Sequence, residues 1–471
     1  MARMRRRLFA ARLGRRPKAG LAIGLSLAVV AATFSGPSHI VAHTQNESPV
    51  SMAELGAIWD AEHVSPALPP LVDHAEVVRR ISDLAAQTPD LFRTEKIGES
   101  IEGRSIHHLK AGNGAFAVLL WSQMHGDEST ATSALFDVFD YLRRHRRDPA
   151  VERILSRLTL HVVPMLNPDG AQRFERRNAQ SIDINRDALR LQTPEGKALK
   201  ALRDRLSPRV GFNLHNQSWR TSVGRPPKPA SISLLSVAYD EPRSENAGRK
   251  LTKQLCAIIR DALEPSAPAQ IGRYDDEFEV RAFGDNITLW GTPVVLIETG
   301  PWPSPEPDAA LVRLNFLAIV AALDALATGS VERADTQRYE TLPLNETRMF
   351  AVLIRNATVI SGKGIPPFTA DIGVVANRRV QIAAGRRELQ TSLMIEDVGD
   401  LRTMGGLRTI DASGMTAIPL ADDAVAAGQT IDLPEWKTLA SAPIVVGQAA
   451  RIVLLKPASE PGKFVVEIVL R

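Results

Sequence analysis

Residues 116–128 read Phe-Ala-Val-Leu-Leu-Trp-Ser-Gln-Met-His-Gly-Asp-Glu. The apolar run 116–121 predicts a buried strand, and His125 and Glu128 follow it at once. Two ionisable side chains at the end of a core strand need a reason to be there. They can cap the next helix. They can also hold a metal, because neutral imidazole nitrogen and carboxylate oxygen are both zinc donors, and a separation of two residues lets both reach one ion. The pair alone does not choose between these readings; the rest of the chain does.

The same arrangement recurs along the sequence. Residues 158–165 form an apolar run that passes into the turn Asn167-Pro-Asp-Gly170, residues 210–214 pass into His215-Asn-Gln217, and residues 293–297 pass into Glu298-Thr-Gly300. Between the first two runs, Ala131, Ala134, Leu135, Val138, Phe139 and Leu142 mark one face of a helix. Strands separated by helical patterns predict an α/β domain whose sheet has a parallel centre. Such sheets place their ligand site beyond the carboxyl ends of the strands. His125, Glu128, His215 and Glu298 are expected to converge there. Of the ten histidines, only His125 and His215 directly follow an apolar strand. The others fall within strands, at a helix end, in the lead-in or near the N-terminus.

The chain begins with Arg3, Arg5, Arg6, Arg7, Arg12, Arg15, Arg16 and Lys18 and no acid, followed by an uncharged apolar run over residues 19–34. That is the form of a secretory signal, with cleavage expected between residues 35 and 42. An uncleaved membrane anchor is the rival reading; stable membrane insertion is expected only in that case. The formal charge of +4 includes the leader's eight cations, so the remaining chain is near −4. A nucleic-acid partner therefore loses its electrostatic support. The one cysteine, Cys256, sits in an amphipathic pattern and excludes an intramolecular disulfide. Stability must come from the core, which 471 residues with 44% hydrophobic content can supply in two domains.

The expected organisation is a signal peptide over 1–42, a lead-in over 43–71, a catalytic domain over 72–328, a polar link over 329–348, and a β-rich domain over 349–471. Residues 309–327 are apolar almost all round and are read as a helix packed against the sheet, not a membrane span. After residue 349, short apolar runs divided by Gly, Pro and Asn predict a small all-β domain.

In order, Ile97 to Arg104, His125-Gly-Asp-Glu128, Asn167-Pro-Asp-Gly170, Arg176, Ile182-Asp-Ile-Asn-Arg186, His215-Asn216 and Glu298-Thr-Gly300 resemble the zinc carboxypeptidases of the carboxypeptidase A type. The resemblance covers residues 72–327 and rests on the joint order and spacing of these pieces. It implies a mixed central sheet flanked by helices and one Zn2+ held by His125, Glu128 and His215. It further implies Glu298 as general base and Arg176 as the oxyanion-stabilising arginine, with Arg177 as the competing choice. Asn185 and Arg186 match the pair that binds the terminal carboxylate of a peptide, and Tyr274 is the nearest candidate for the tyrosine that covers the substrate. The residue that sets side-chain preference, somewhere in 283–286, is not aligned by the resemblance.

The last domain resembles the small β-sandwich that flanks the barrel of amidohydrolases. It does so through Leu353-Ile-Arg-Asn-Ala-Thr-Val-Ile360, Pro366-Pro-Phe-Thr-Ala-Asp371, Ile410-Asp-Ala-Ser-Gly-Met415 and residues 446–454. No histidine follows His215, so this module is expected to be structural or an interaction surface. The functional expectation is an exported zinc metallocarboxypeptidase, periplasmic or extracellular, acting on peptides with a free C-terminal carboxylate. Two rivals stand beside it: an amide deacylase of the succinylglutamate desuccinylase and aspartoacylase kind, and an inactive peptide- or wall-binding protein.

Overall fold

The strand Phe116–Ser122 alternates its side chains between two cores, with Val118 and Leu120 in one and Leu119 and Trp121 in the other. A strand covered on both faces has no polar side, which is why its sequence is continuously apolar. The structure, a computed structural model, describes residues 49–304, 306–361, 365–384, 386–420, 423–432 and 443–471. The leader expected over 1–42 lies outside the described residues.

In chain order the first elements are α1 (Met52–Glu62), α2 (His74–Gln87), β1 (Phe92–Glu99), β2 (Ser105–Ala111), β3 (Phe116–Ser122), α3 (Thr130–Arg144), α4 (Pro149–Arg157), β4 (Leu158–Val163), α5 (Pro168–Arg173) and α6 (Pro194–Leu206). They continue with β5 (Val210–Asn216), β6 (Thr221–Val223), β7 (Lys228–Pro229), β8 (Ile232–Ser236), α7 (Ala247–Leu263), β9 (Ile271–Arg273), α8 (Phe283–Leu289), β10 (Val294–Thr299) and α9 (Pro307–Thr328). Among the described residues the main sheet has eight strands in the order β1-β2-β4-β3-β5-β10-β8-β9. Its centre, β4-β3-β5-β10, is parallel, while β1 and β2 on one side and the β10–β8 pair on the other are antiparallel. The sheet is therefore mixed and lies between helical layers, as the resemblance implied. Helices α3, α7 and α9 pack on one face; α6 and α8 pack on the other.

Helix α9 is a core helix, buried against α3 and α7. Its polar exceptions are matched one by one. Asn315 donates to Thr299 Oγ1 at 2.8 Å, Arg313 pairs with Asp60 at 2.8 Å and Asp324 pairs with Arg153 at 2.7 Å. The lead-in is more ordered than its composition predicts, because Leu55 and Trp59 of α1 enter the first core and the Trp59 indole donates to Asp137 at 2.7 Å.

Residues 329–348 lie between the two domains, yet they are not a free tether. Tyr339 and Leu342 are buried in the first core, and the Tyr339 hydroxyl accepts the Ser236 N–H at 3.0 Å. This segment forms a short helix α10 (Gln337–Glu340) and then β11 (Glu346–Thr347), which pairs with β6.

The last domain is all-β. Its strands β12 (Met349–Val359), β13 (Phe368–Ala383), β14 (Arg386–Gly399), β15 (Gly405–Asp411), β16 (Thr416–Pro419), β17 (Thr430–Asp432), β18 (Ile452–Pro457) and β19 (Lys463–Leu470) form one sheet, with β15 alongside β12. The long β13–β14 hairpin reaches back to the first domain. Arg378 pairs with Asp308 at 2.7 Å, and Arg387 donates to the carbonyls of Gln172 at 2.6 Å and Ala171 at 3.0 Å. Arg220 of the first domain pairs with Glu396 of the hairpin at 2.6 Å.

Candidate metal centre and its cleft

The carboxyl ends of β3, β5 and β10 deliver the expected side chains to one place. After Ser122 the chain turns at Gln123, whose φ of 51° is left-handed, and this turn is held by its side-chain amide donating to the Gly126 carbonyl at 2.8 Å. A Cβ on Gly126 would lie 2.0 Å from the Gly170 carbonyl carbon, so only glycine lets the His125 loop meet the start of α5, where the expected Asn167–Gly170 turn is a helix N-terminus capped by Asn167. On the neighbouring strands Glu298 stands directly opposite His215 in the parallel β5–β10 register.

His125, Glu128 and His215 are all buried, and their donor atoms lie within 4.8 Å of one another. Glu128 stands between the two imidazoles, with Oε1 2.7 Å from His125 Nδ1 and Oε2 2.7 Å from His215 Nδ1. The two Nδ1 atoms are themselves 3.1 Å apart. Two imidazole nitrogens and a carboxylate aimed at one point form a donor set that a zinc ion satisfies. The groups around the donors fit as well: His125 Nε2 is 3.1 Å from Asp183 Oδ1, the kind of contact that fixes the tautomer of a ligating histidine. The Asn216 N–H donates to Glu128 Oε2 at 3.0 Å. His215 Nε2 is buried without a partner.

Charge follows the geometry. Burial disfavours the His125 imidazolium, but Glu128 and Asp183 outweigh it and push the pKa up to about 9. Burial likewise raises Glu128, yet the two imidazoles hold its carboxyl well below the usual range. For Glu298 the balance is reversed: burial and then the Glu128 charge outweigh His125 and Arg176 and raise it well above an ordinary carboxylate, and its Oε2 has no partner. Tyr274 is pushed up to about 12, first by the Glu298 charge and then by burial, so its phenol stays protonated.

The centre opens into a cavity of about 560 Å³. His125, Glu128, Arg176, Asn185, Arg186, Tyr274 and Glu298 all line it, and His215 stands behind Glu128. Arg176 is brought to the centre, with Nη1 3.0 Å from His125 Nδ1 and donating to Glu128 Oε1 at 3.2 Å. Arg177 is exposed and turned away, donating to the Ser181 carbonyl at 3.1 Å. Asn185 and Arg186 sit on a single 3-10 turn, Ile184–Arg186, capped by Asp183. Asn185 Oδ1 accepts the Phe283 N–H at 2.8 Å, so its amide nitrogen is the donor that remains. Arg186 is partly exposed and lies 3.4 Å from Glu279. Arg176 and Arg186 are the arginines among the described lining residues, which also include Asp275, Glu277, Glu279 and Asp285.

Asp183, inside the Ile182–Arg186 piece, and Asp285, inside the unaligned stretch 283–286, are given no role by the sequence. Asp183 contacts both His125 and Arg176, and its one signal is a carboxylate enclosed by two isoleucines in Ile182-Asp-Ile184. Asp285 opens α8, and nothing in its local sequence marks it.

Residues 77–261 match the family model described as zinc carboxypeptidase. Carboxypeptidase SOL1 of Arabidopsis thaliana is 27% identical over 149 residues, covering 27% of this chain and 30% of its own length. Carboxypeptidase M of Mus musculus is 26% identical over 124 residues, covering 23% of this chain and 28% of its own. The chain thus spans under a third of the length of these curated relatives. Among solved structures, a metallo-carboxypeptidase from Burkholderia cenocepacia aligns with a TM-score of 0.42 at 19% identity, covering 53% of this chain and 69% of that one. The residues matched by the family model include His125, Glu128, Arg176, Asn185, Arg186 and His215, while Tyr274 and Glu298 lie beyond them.

Proposed function

We propose that this protein, whose residues 77–261 match the family model described as zinc carboxypeptidase, is an exported zinc metallocarboxypeptidase that removes the last residue of peptides. The observation that carries the reading is the meeting of His125, Glu128 and His215 with Glu298, Arg176 and Arg186 around one cavity. His125, Glu128 and His215 would hold a zinc ion, which would supply Lewis acidity to polarise a carbonyl and lower the pKa of water towards roughly 7.

The chain's own residues do the rest. Glu298, buried with a free oxygen, takes a proton from the attacking water and passes it to the leaving amine. Arg176 is placed beside the ligands to donate to the carbonyl oxygen as charge develops there. Arg186 and the Asn185 amide nitrogen bind the terminal carboxylate. A guanidinium is a permanent cation suited to that group, and an incoming terminal carboxylate would take the place of Glu279 beside Arg186. Tyr274 closes over the bound residue.

Paired peptides ending in a free acid or an amide test the proposal. The free acid should be cut at its last bond and the amide left nearly inert. Glu298→Gln should retain zinc while turnover falls at least roughly a hundredfold, the scale of a general base. Equal cleavage of acid and amide would reject carboxypeptidase action. Preferential release of acyl groups from N-acyl amino acids would point to the deacylase reading instead.

A further inference from the structure

The segment leading into the β-domain enters the cleft. The Arg273 N–H donates to the Pro343 carbonyl at 2.8 Å and the Asn345 N–H donates to the Arg273 carbonyl at 3.0 Å, so this segment runs beside β9, next to Tyr274. Leu344, Asn345, Glu346 and Thr347 then form part of the cavity wall.

The Asn345 carboxamide closes a ring of three side chains. Its Oδ1 accepts from Ser233 Oγ at 2.8 Å, its Nδ2 donates to Gln217 Oε1 at 2.8 Å, and Gln217 Nε2 donates to Ser233 Oγ at 2.9 Å. Ser233 lies directly opposite Glu298 on β8. Gln217 lies two residues beyond His215, which stands opposite Glu298 on β5, and the Gln217 N–H donates to the Thr299 carbonyl at 2.8 Å. The ring therefore ties together the two strand ends that flank Glu298.

Two glycines make room for it. A Cβ on Gly272 would lie 2.4 Å from Asn345 Oδ1 and 3.1 Å from Ser233 Oγ. A Cβ on Gly300 would lie 2.0 Å from the Ala230 carbonyl oxygen and 2.7 Å from Gln217 Nε2. Neither clash can be relieved without moving the ring or the backbone beside it.

We infer that Asn345 is a positioning residue for Glu298, and that the segment joining the two domains is a working part of the cleft. The carboxylate that must meet water and leaving amine is carried by β10, and β10 is held in place at this end by strands that Asn345 fastens together. Small displacements of such a group cost far more in turnover than in binding. The kinetic readout rests on the carboxypeptidase proposal; the structural one does not.

Asn345→Ala and, independently, Gly272→Ala test it in the full-length protein. Both should keep wild-type zinc content, lower kcat about tenfold or more and leave KM within about threefold. Amide hydrogen exchange over residues 215–217, 231–233 and 299–300 should speed up in both. Asn345→Asp keeps the side-chain size and the acceptor for Ser233 but loses the donor to Gln217, so it should fall between; it also serves if the alanine variant does not fold. Arg225→Ala, which removes an exposed partner of Glu346 on the same segment, should leave kcat and exchange unchanged. Wild-type kcat in a folded Asn345→Ala protein overturns the inference. Should the unaltered protein hydrolyse no peptide, the proposed function fails instead, and unchanged exchange in Asn345→Ala then decides against the inference by itself.

Discussion

Asp285 is a half-buried carboxyl at the first turn of α8 whose Oδ1 accepts the Glu279 N–H at 3.0 Å. Burial pushes it up to about 7, against the hydrogen bond from the Glu279 N–H that favours the charged form. A carboxyl raised above its unfolded value contributes most at low pH, where both states are protonated. That contribution is lost as pH rises from about 4 through about 7, because the unfolded chain ionises first. Asp285→Asn keeps the accepted hydrogen bond and removes the titration. Its stability relative to the unaltered protein should therefore rise between about pH 4 and about pH 8, by on the order of 1 to 3 kcal/mol given its partial exposure. Denaturant midpoints at several pH values check this, and a pH-independent difference would show that folding does not raise this acid. Single residues are unevenly legible in the sequence. His125, Glu128, His215 and Glu298 can be found because each follows closely on an apolar run, which is the sequence signature of a strand end. Asp285 and Asn345 carry no such mark, and Gln217, although it follows the run 210–214, shows nothing of its partner; they matter through contacts that only the folded protein reveals. The choice between Arg176 and Arg177 is likewise one of direction: the two adjacent arginines point to opposite surroundings, and Arg176 is the one that reaches Glu128.

At the scale of elements, the central strands are readable because both their faces are covered. β3, β4, β5 and β10 are each buried almost throughout, so hydrophobicity alone locates them. The edges are less legible: β1 is largely exposed, and α1 is a short helix just ahead of Pro66, Pro69 and Pro70 that masks its own pattern. What no periodicity shows is how the loops beyond the strands meet. The approach of Gly126 to Gly170 joins the loop after β3 to the start of α5 backbone to backbone, and this contact sets where His125 stands. Gly126→Ala would drive a Cβ to 2.0 Å from the Gly170 carbonyl carbon and 2.2 Å from the Ala171 nitrogen, which no rotamer can relieve. The expected cost is about 1 to 3 kcal/mol of stability, with most bound zinc lost because the ligand loop must shift. Metal analysis and thermal unfolding measure both, and full zinc occupancy at a wild-type midpoint would mean that the loop and α5 can separate without disturbing the site.

The whole molecule departs from a catalytic domain with a detachable appendage. A polar, weakly patterned stretch over 329–348 reads as a link because its apolar residues are too sparse to give a period. Three of them, Val331, Tyr339 and Leu342, are nevertheless buried in the first core, and β11 adds a strand to β6. From the other side, Arg387 caps carbonyls at the end of α5, immediately after the turn that supports His125, while Arg378 pairs with the buried Asp308 of α9. A chain ending at Gly329 would lose the Tyr339 bond to Ser236, the Asn345 ring beside Glu298 and every one of these clamps. Such a chain should be poorly soluble or partly unfolded, and any soluble fraction should hydrolyse peptides at least about tenfold more slowly than the full chain, the scale assigned above to the ring alone. A chain in which Arg378 and Arg387 are both replaced by alanine keeps 329–348 and separates the two contributions. It should unfold at a lower temperature, since each arginine leaves a buried or helix-end acceptor without its partner, while retaining most of its kcat because the Asn345 ring is intact. A soluble chain ending at Gly329 that turns over at the full rate would restore the second domain to the status of an appendage.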